Sequence, residues 1–338
     1  MTKRERVIAA LQHKETDFIP YEIGLTRAAY EKMVQFYGSG DFARNIGNHI
    51  ASAYYDGGTA PMPDRENYYQ DDFGVIWNRT VDKDIGVVEN LQLPQPDMSL
   101  YQFPQVPEER IRKQCEAVLE NAGECFTCAS LGFSLFERAW TLTGMENLLI
   151  YMLTDPGFVT ELMDKILEFN LKVIDIFLDY NFDCIFFGDD WGQQSGLIMG
   201  PVMWRKFIKP PLAKMYAAAK AKGRFVIQHS CGDIQEVYPD LIEIGLDAHQ
   251  TFQPEIFDIR QIKAKYGGKL SFYGGISTQQ MLPFETPEGV VREAKEIMRI
   301  MGKGGGFIVA PTHSVPGDVP AENIDALIKL FQNQKACP

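Results

Sequence analysis

The chain has 338 residues, 45% of them hydrophobic and 12% aromatic, enough to fill a large core and too apolar for a disordered protein. Lys plus Arg number 33 against 45 Asp plus Glu, a net charge of -12 with no dense basic run, which excludes nucleic acid and anionic membrane surfaces as natural partners. The longest apolar runs, such as LLIYML, are far short of the about 18 residues of a membrane span.

The first element, MTKRERVIAALQHKE, reads as an amphipathic helix with a Thr2 to Glu5 capping box. It has no long apolar core or small-residue cleavage site, so no secretion signal is read there. DFIPYEIGL (17–25) reads as a strand leading to Thr26 and Arg27, and RAAYEKMVQFYG as a helix. HIASAYYDGG is a candidate second strand entering a loop. Residues 72–93, FGVIWNRTVDKDIGVVENLQL, alternate around Gly and Asp and suggest an inserted β-hairpin outside the main sheet. The Pro-spaced LPQPDMSLYQFPQVP is a surface connector.

From there the alternation is regular. A helix from Glu108 to Asn121 leads to ECFTCASLG, and a helical tract from Met145 to Tyr180, interrupted at Asp155-Pro156, leads to FDCIFFGDD. A helix around Trp204 to Lys222 leads to FVIQHSCG, a short helix to LDAHQTF, another to LSFYGGIS, and TPEGVVREAKEIMRIMG to GGGFIVAPTH, before the closing helix PAENIDALIKLFQNQ. Apolar strands alternating with amphipathic helices imply a parallel sheet with right-handed crossovers. At this length they predict a single (β/α)8 TIM barrel domain over residues 1–338, and no G-x-G-x-x-G follows the first strand to argue for a nucleotide fold. Gly304 to Gly306 precede a strand and read as a turn. The six cysteines, at 115, 125, 128, 184, 231 and 337, are scattered, which points to reduced thiols and a cytoplasmic setting. Cys125-x-x-Cys128 within a strand puts its sulfurs on opposite faces, a packing arrangement.

A barrel's active site lies at the C-terminal ends of its strands. There stand Asp189 and Asp190 after CIFFG, His229 and Cys231, His249 after LDA, Tyr273 before a glycine pair, and His313 after FIVAPT; three of the chain's five histidines fall at such ends. His229 and Cys231, two apart, point the same way while Ser230 turns aside; Gly232 turns the chain and Asp233 is placed to cap the next helix. Nitrogen and thiolate together suit zinc, and His229, Cys231 and His313 make a three-ligand set with one open position. Asp189 or Asp190 completes or supports it; both, with Tyr273, are the catalytic candidates. Phe187, Trp191 and Phe252 are expected to line an apolar pocket, with His249 or Gln250 facing the substrate.

The segments FGDDWGQQSG, HSCGD, FYGGIS and GGGFIVAPTHSVPGDVPAEN resemble the uroporphyrinogen decarboxylase superfamily, along nearly the whole chain. That superfamily contains porphyrin decarboxylases and zinc-dependent corrinoid methyltransferases. The decarboxylases carry an R-Q-A-G-R segment after the first strand, where this chain has EIGLTRAAYEK with Arg27 alone. The methyltransferases carry H-x-C and a later cysteine that bind zinc; this chain has His229 and Cys231, with His313 where the last ligand would stand. The resemblance therefore implies methyl transfer between a small methylated substrate (methoxyaromatic, methylthiol or methylamine) and a corrinoid (cobalamin) on a partner protein, by a monomer or homodimer. The alternatives are metal-free decarboxylation of uroporphyrinogen or another acidic small molecule, with His313 as acid or substrate donor, and a non-catalytic barrel that binds corrinoid or tetrapyrrole.

Overall fold

The computed structural model of the protein describes residues 1–334. Seven parallel strands hydrogen-bond in chain order: β1 (Ile50–Tyr55), β2 (Phe126–Leu131), β3 (Cys184–Gly188), β4 (Phe225–His229), β5 (Ala248–Phe252), β6 (Ser271–Ile276) and β7 (Phe307–Pro311). The eighth stave is the expected first strand, residues 17–25, reduced to isolated bridges at Tyr21 and Leu25. On one side Val309 donates its N–H to Pro20 O (2.9 Å) and Glu22 donates to Val309 O (3.2 Å); on the other His49 donates to Tyr21 O (3.0 Å). The ladder is irregular for a local reason. Pro20 has no N–H to give, and the Asn48 side chain takes the place of a backbone partner, bonding Ile23 N at 2.9 Å and Ile23 O at 3.0 Å. With that stave in place the sheet closes on itself as a TIM-type barrel.

Strand alternation divides the core in two. Inside the barrel Ile50, Phe126, Cys128, Cys184, Ile227, Ala248 and Ile308 form one apolar cluster; the larger cluster lies between the sheet and the outer helices. The first helix, Lys3–Leu11, has the expected capping box and drives Val7, Ala10 and Leu11 into the inner cluster, closing the N-terminal end of the barrel. Its far end is tied by Gly306 N to Ala10 O (2.9 Å), and the glycine run beside it is a turn, as read from its place before a strand. Gly305 has φ +74°, and a Cβ there would lie 2.5 Å from Lys14 N, so only glycine fits. The amide of Gly304 is taken by the Glu15 carboxylate at 2.9 Å. Cys128 faces the inner cluster while Cys125 Sγ contacts Asn48 O at 3.4 Å, and the five cysteines among the described residues are all free; Cys337 lies outside them.

The helix Glu108–Asn121 forms as expected, and the long tract splits into Met145–Thr154 and Pro156–Leu178, because proline fits the first turn of a helix but not its interior. The insert is larger than the expected hairpin at 72–93. It is a four-stranded antiparallel sheet of Thr59–Pro61, Tyr68–Asp71, Ile76–Asn78 and Val87–Val88. A buried ion pair roots it to the barrel: Arg138 Nη1 meets Asp71 Oδ2 at 2.7 Å, Arg138 Nη2 donates to Asp56 O at 2.7 Å, and Trp77 Nε1 donates to the same Asp71 carboxylate at 3.2 Å. No helix among the described residues is long and apolar enough to cross a membrane.

Candidate metal centre

His229 is the last residue of β4 and Cys231 follows two positions on, both turned into the mouth, while Ser230 is buried the other way and accepts from Trp191 N at 2.9 Å. The turn that presents Cys231 depends on two glycines back to back. Gly232 has φ +80°, and a Cβ on it would lie 2.2 Å from Gly192 C, so the loops after β3 and β4 touch backbone to backbone. Gly192 donates to Cys231 O (3.1 Å) and Asp233 to Gln193 O (2.8 Å), which locks the pair. Asp233, expected to cap the next helix, stands one residue too early: its Oδ1 accepts from Gln235 N at 3.0 Å in a local turn, while Ile234 and Val237 hold the N-cap positions of the two short helices that follow.

That contact brings Asp190 against the pair. His229 Nε2 lies 3.3 Å from Asp190 Oδ1 and 3.6 Å from Cys231 Sγ, and Cys231 donates its N–H to the same Asp190 oxygen at 2.8 Å. One donor atom from each residue lies within 4.8 Å of the other two. A tetrahedral zinc ion, at about 2.0–2.1 Å from nitrogen or oxygen and about 2.3 Å from sulfur, holds such donors about 3.3–3.6 Å apart. The two spacings from His229, with nitrogen, sulfur and oxygen donors, are compatible with zinc. On the far side of the ring, His229 Nδ1 meets Gln250 Oε1, an acceptor that fixes the proton on Nδ1 and leaves Nε2 to face the other two ligands. Burial opposes charge on all three groups. His229 and the Cys231 amide nevertheless hold Asp190 down to about 2, Asp190 raises His229 well above the usual imidazole range, and burial raises the Cys231 thiol. A metal ion entering here displaces protons from His229 and Cys231.

His313, the expected third ligand, stands beside this close cluster, its ring edge-on to His229 with centroids 5.9 Å apart, and Asp190 joins His229 and Cys231 in the cluster itself. Asp189, a catalytic candidate, points the opposite way. It accepts from Phe136 N (2.9 Å), Glu137 N (2.8 Å) and Trp191 Nε1 (2.6 Å), so it anchors the start of the helix Phe136–Thr143 while burial pushes its carboxyl up to about 6. Tyr273 gives its hydroxyl to Glu22.

The expected pocket aromatics are placed elsewhere. Phe187 stacks outward on Tyr216 (5.4 Å), Trp191 packs edge-on against Trp204 (5.4 Å), and Phe252 stacks on Phe257 (5.3 Å), all fully buried in the outer core. The neighbour Phe186, one position out of phase, packs against the inner cluster instead. His249 also faces outward, with Nδ1 at Tyr238 Oη (2.9 Å) and Nε2 at Ser230 O (3.1 Å), and burial pulls its pKa to about 4. Gln250 faces in. Two acids were missed by reading the strand ends alone. Glu137, second residue of its helix, lies close enough to Asp190 and Asp189 that burial and their charge raise its carboxyl well above the usual range, and Glu22 sits inside the irregular stave. An acid in the first helical turn after a barrel strand is the signal that would have found Glu137.

Residues 89–334 match the family model described as uroporphyrinogen decarboxylase (URO-D), and the chain belongs to that family. Among solved structures it is similar to a methyltransferase from Methanosarcina mazei, at 17% identity over 98% of this chain and 98% of that one with a TM-score of 0.76, so the two share a fold. A sugar phosphate isomerase/epimerase from Parabacteroides distasonis ATCC 8503 (12% identity, 96% and 98% covered, TM-score 0.43) is more remote. So is a B12-independent methionine synthase from Shewanella sp. W3-18-1 (10% identity, 94% and 95% covered, TM-score 0.44). No curated protein matches in sequence.

Proposed function

We propose that the protein is a zinc-dependent methyltransferase of the URO-D superfamily, moving a methyl group between a small methylated substrate and a corrinoid carried by a partner protein. The observation that carries this reading is the Asp190, His229 and Cys231 donor set, with spacings of 3.3 and 3.6 Å, at the C-terminal ends of the strands. These three side chains would hold the ion, which when bound supplies Lewis-acid polarisation of the substrate's heteroatom. Gln250 orients His229, and Asp189 holds the helix whose second residue, Glu137, stands over Asp190. The shared fold with the Methanosarcina methyltransferase supports the same branch.

The charge of the mouth speaks against the decarboxylase alternative. A porphyrinogen bearing many carboxylates needs cations to receive it. Arg27 is exposed and tied to Glu31 at 2.9 Å, and Arg138 is consumed by its buried pair with Asp71. Two measurements test the proposal: zinc content of protein purified without chelators, and methylcobalamin formation from cob(I)alamin with a panel of methylated substrates. About one zinc per chain and methyl transfer are expected. Turnover of uroporphyrinogen by metal-free protein, with no methylcobalamin formed, would overturn it.

A further inference from the structure

Below the metal centre, the wall of the barrel carries a second polar pair. Tyr21 and Ile23 belong to the outer core, so Glu22 between them faces in. His229, Gln250 and Tyr273 are paired in register across β4, β5 and β6, and form one belt of inward-facing side chains. Tyr273, only 3% exposed, rests its ring on the inner cluster with Val7, Leu11 and Ile308 and donates its hydroxyl to one oxygen of Glu22. The pair therefore tops the apolar filling of the lower barrel, and is the floor of whatever enters from the mouth. Glu22's other oxygen makes no hydrogen bond among the described residues.

The interior is open down towards that level. Ser52, in the middle of β1, is exposed although its neighbour Ala53 is 2% exposed, and Tyr54 on the same inner face is 53% exposed. A mid-strand residue of a filled barrel would be buried. Around this space stand Glu22, Tyr54, Phe186 and Gln250, with Tyr273 buried beneath Glu22 and no Lys or Arg on the inward-facing positions of the described strands.

We propose that Glu22, supported by Tyr273, determines specificity in the substrate pocket: it takes a hydrogen-bond-donating end of the substrate, a hydroxyl or an ammonium group, and rejects a carboxylate. This rests on the methyltransferase reading for the identity of the substrate, but its physics is independent of it. A carboxylate set beside the half-buried Glu22, with no Lys or Arg on the inward-facing strand positions to neutralise either, meets like-charge repulsion and loses hydration. A hydroxyl or ammonium gains the free oxygen of Glu22 as its acceptor. Burial pushes Glu22 up to about 7, and a cationic donor beside it favours the ionised carboxylate that accepts.

Calorimetric titration of the intact protein with 4-methoxyphenol, 4-methoxybenzylamine and 4-methoxybenzoate tests this, since the three differ at one end only. The phenol and the amine are expected to bind about tenfold or more tighter than the benzoate, one charge-assisted hydrogen bond's worth, and the tighter of the two identifies the donor. Glu22→Gln keeps the size and loses the charge: the amine should weaken by about tenfold, the phenol by a smaller factor because it keeps a neutral hydrogen bond, and the benzoate should tighten. Tyr273→Phe should weaken the phenol and amine together by a smaller factor. Benzoate binding as tight as the others, no binding by any of the three, or an unchanged ranking in Glu22→Gln would each overturn the assignment. Methylcobalamin formation is read separately. Its absence with the ranking intact removes the methyltransferase reading and leaves the pocket, whereas its presence with an unchanged Glu22→Gln ranking removes only the pocket.

Discussion

The two ends of this barrel use the same residue type to opposite effect. Near the N-terminal end Cys128 and Cys184 face each other from paired positions on β2 and β3, inside an apolar cluster that burial makes hostile to thiolate, and the Cys184 thiol is raised well above its ordinary value. At the C-terminal end Cys231 stands 3.6 Å from a histidine nitrogen, with a carboxylate against its amide. The first two are small hydrophobes; the third belongs to the polar cluster that the proposed function assigns to zinc. What separates them is height in the barrel, because the helix Lys3–Leu11 fills one end with Val7, Ala10 and Leu11 while the other is left to loops. Chemistry follows from which end has been stoppered.

The sharpest way to break the comparison is to remove one thiol from each end. Cys231→Ala should lower zinc to well below one per chain and cut methyl transfer by more than the about 10–100-fold typical of losing an outer partner of a ligand. Cys184→Ala should leave both unchanged and cost about 1–2 kcal/mol of stability, read by chemical denaturation. Equal metal loss in both variants would mean the ends are not distinct. The upper end also depends on its rooted insert. Arg138→Ala strands the Asp71 carboxylate in a dry site and should destabilise the fold by about 3–5 kcal/mol, whereas Arg27→Ala, at an exposed pair, should be near neutral by the same denaturation measurement.

The histidines extend the contrast to acid. His49 and His249 are buried, and burial brings each pKa from 6.5 to about 4. The unfolded chain then binds more protons than the folded one between those values. Stability is full above pH 6.5 and is lost as pH falls towards 4, by up to roughly 3 kcal/mol per histidine. Denaturant midpoints at pH 7, 5.5 and 4 should trace that loss, and His249→Gln should flatten it. A slope identical to that of the unaltered protein would contradict a neutral His249. The smallest effect is expected at Gln250→Ala. Freed of its Nδ1 partner, His229 should bind zinc about 10-fold more weakly with little change in melting temperature, measured by competition with a chelator dye.

Much of this was legible in the chain. The helix Glu108–Asn121 and the break at Asp155-Pro156 follow from amphipathic spacing and from proline's missing N–H, and His229-x-Cys231 from strand alternation. Phase was harder to read. CIFFGDD is apolar and then acidic without alternation, as strands buried on both faces are, so nothing in the residues told Phe187 from Phe186 or Asp189 from Asp190. One step of register exchanges the outward anchor Asp189 for the inward acid Asp190 beside His229, and the packing of Phe187 on Tyr216 sets that phase. The insert was underestimated because its strands, such as TAP and YYQD, are too short and polar to show a period. The His313 expectation came from position in a motif, and the structure sets its ring beside His229, next to the close cluster of Asp190, His229 and Cys231.

The stopper at the lower end has a kinetic meaning. A vessel with one doorway admits visitors in turn, so on the proposed function the small substrate and a corrinoid-bearing partner must share a threshold. The substrate has to be seated before the partner covers the opening, and the demethylated product leaves only after the partner has lifted away. A wide-mouthed barrel open at both ends would allow the two to come and go independently. On the proposed function, the nine residues of amphipathic helix, Lys3–Leu11, would impose a queue.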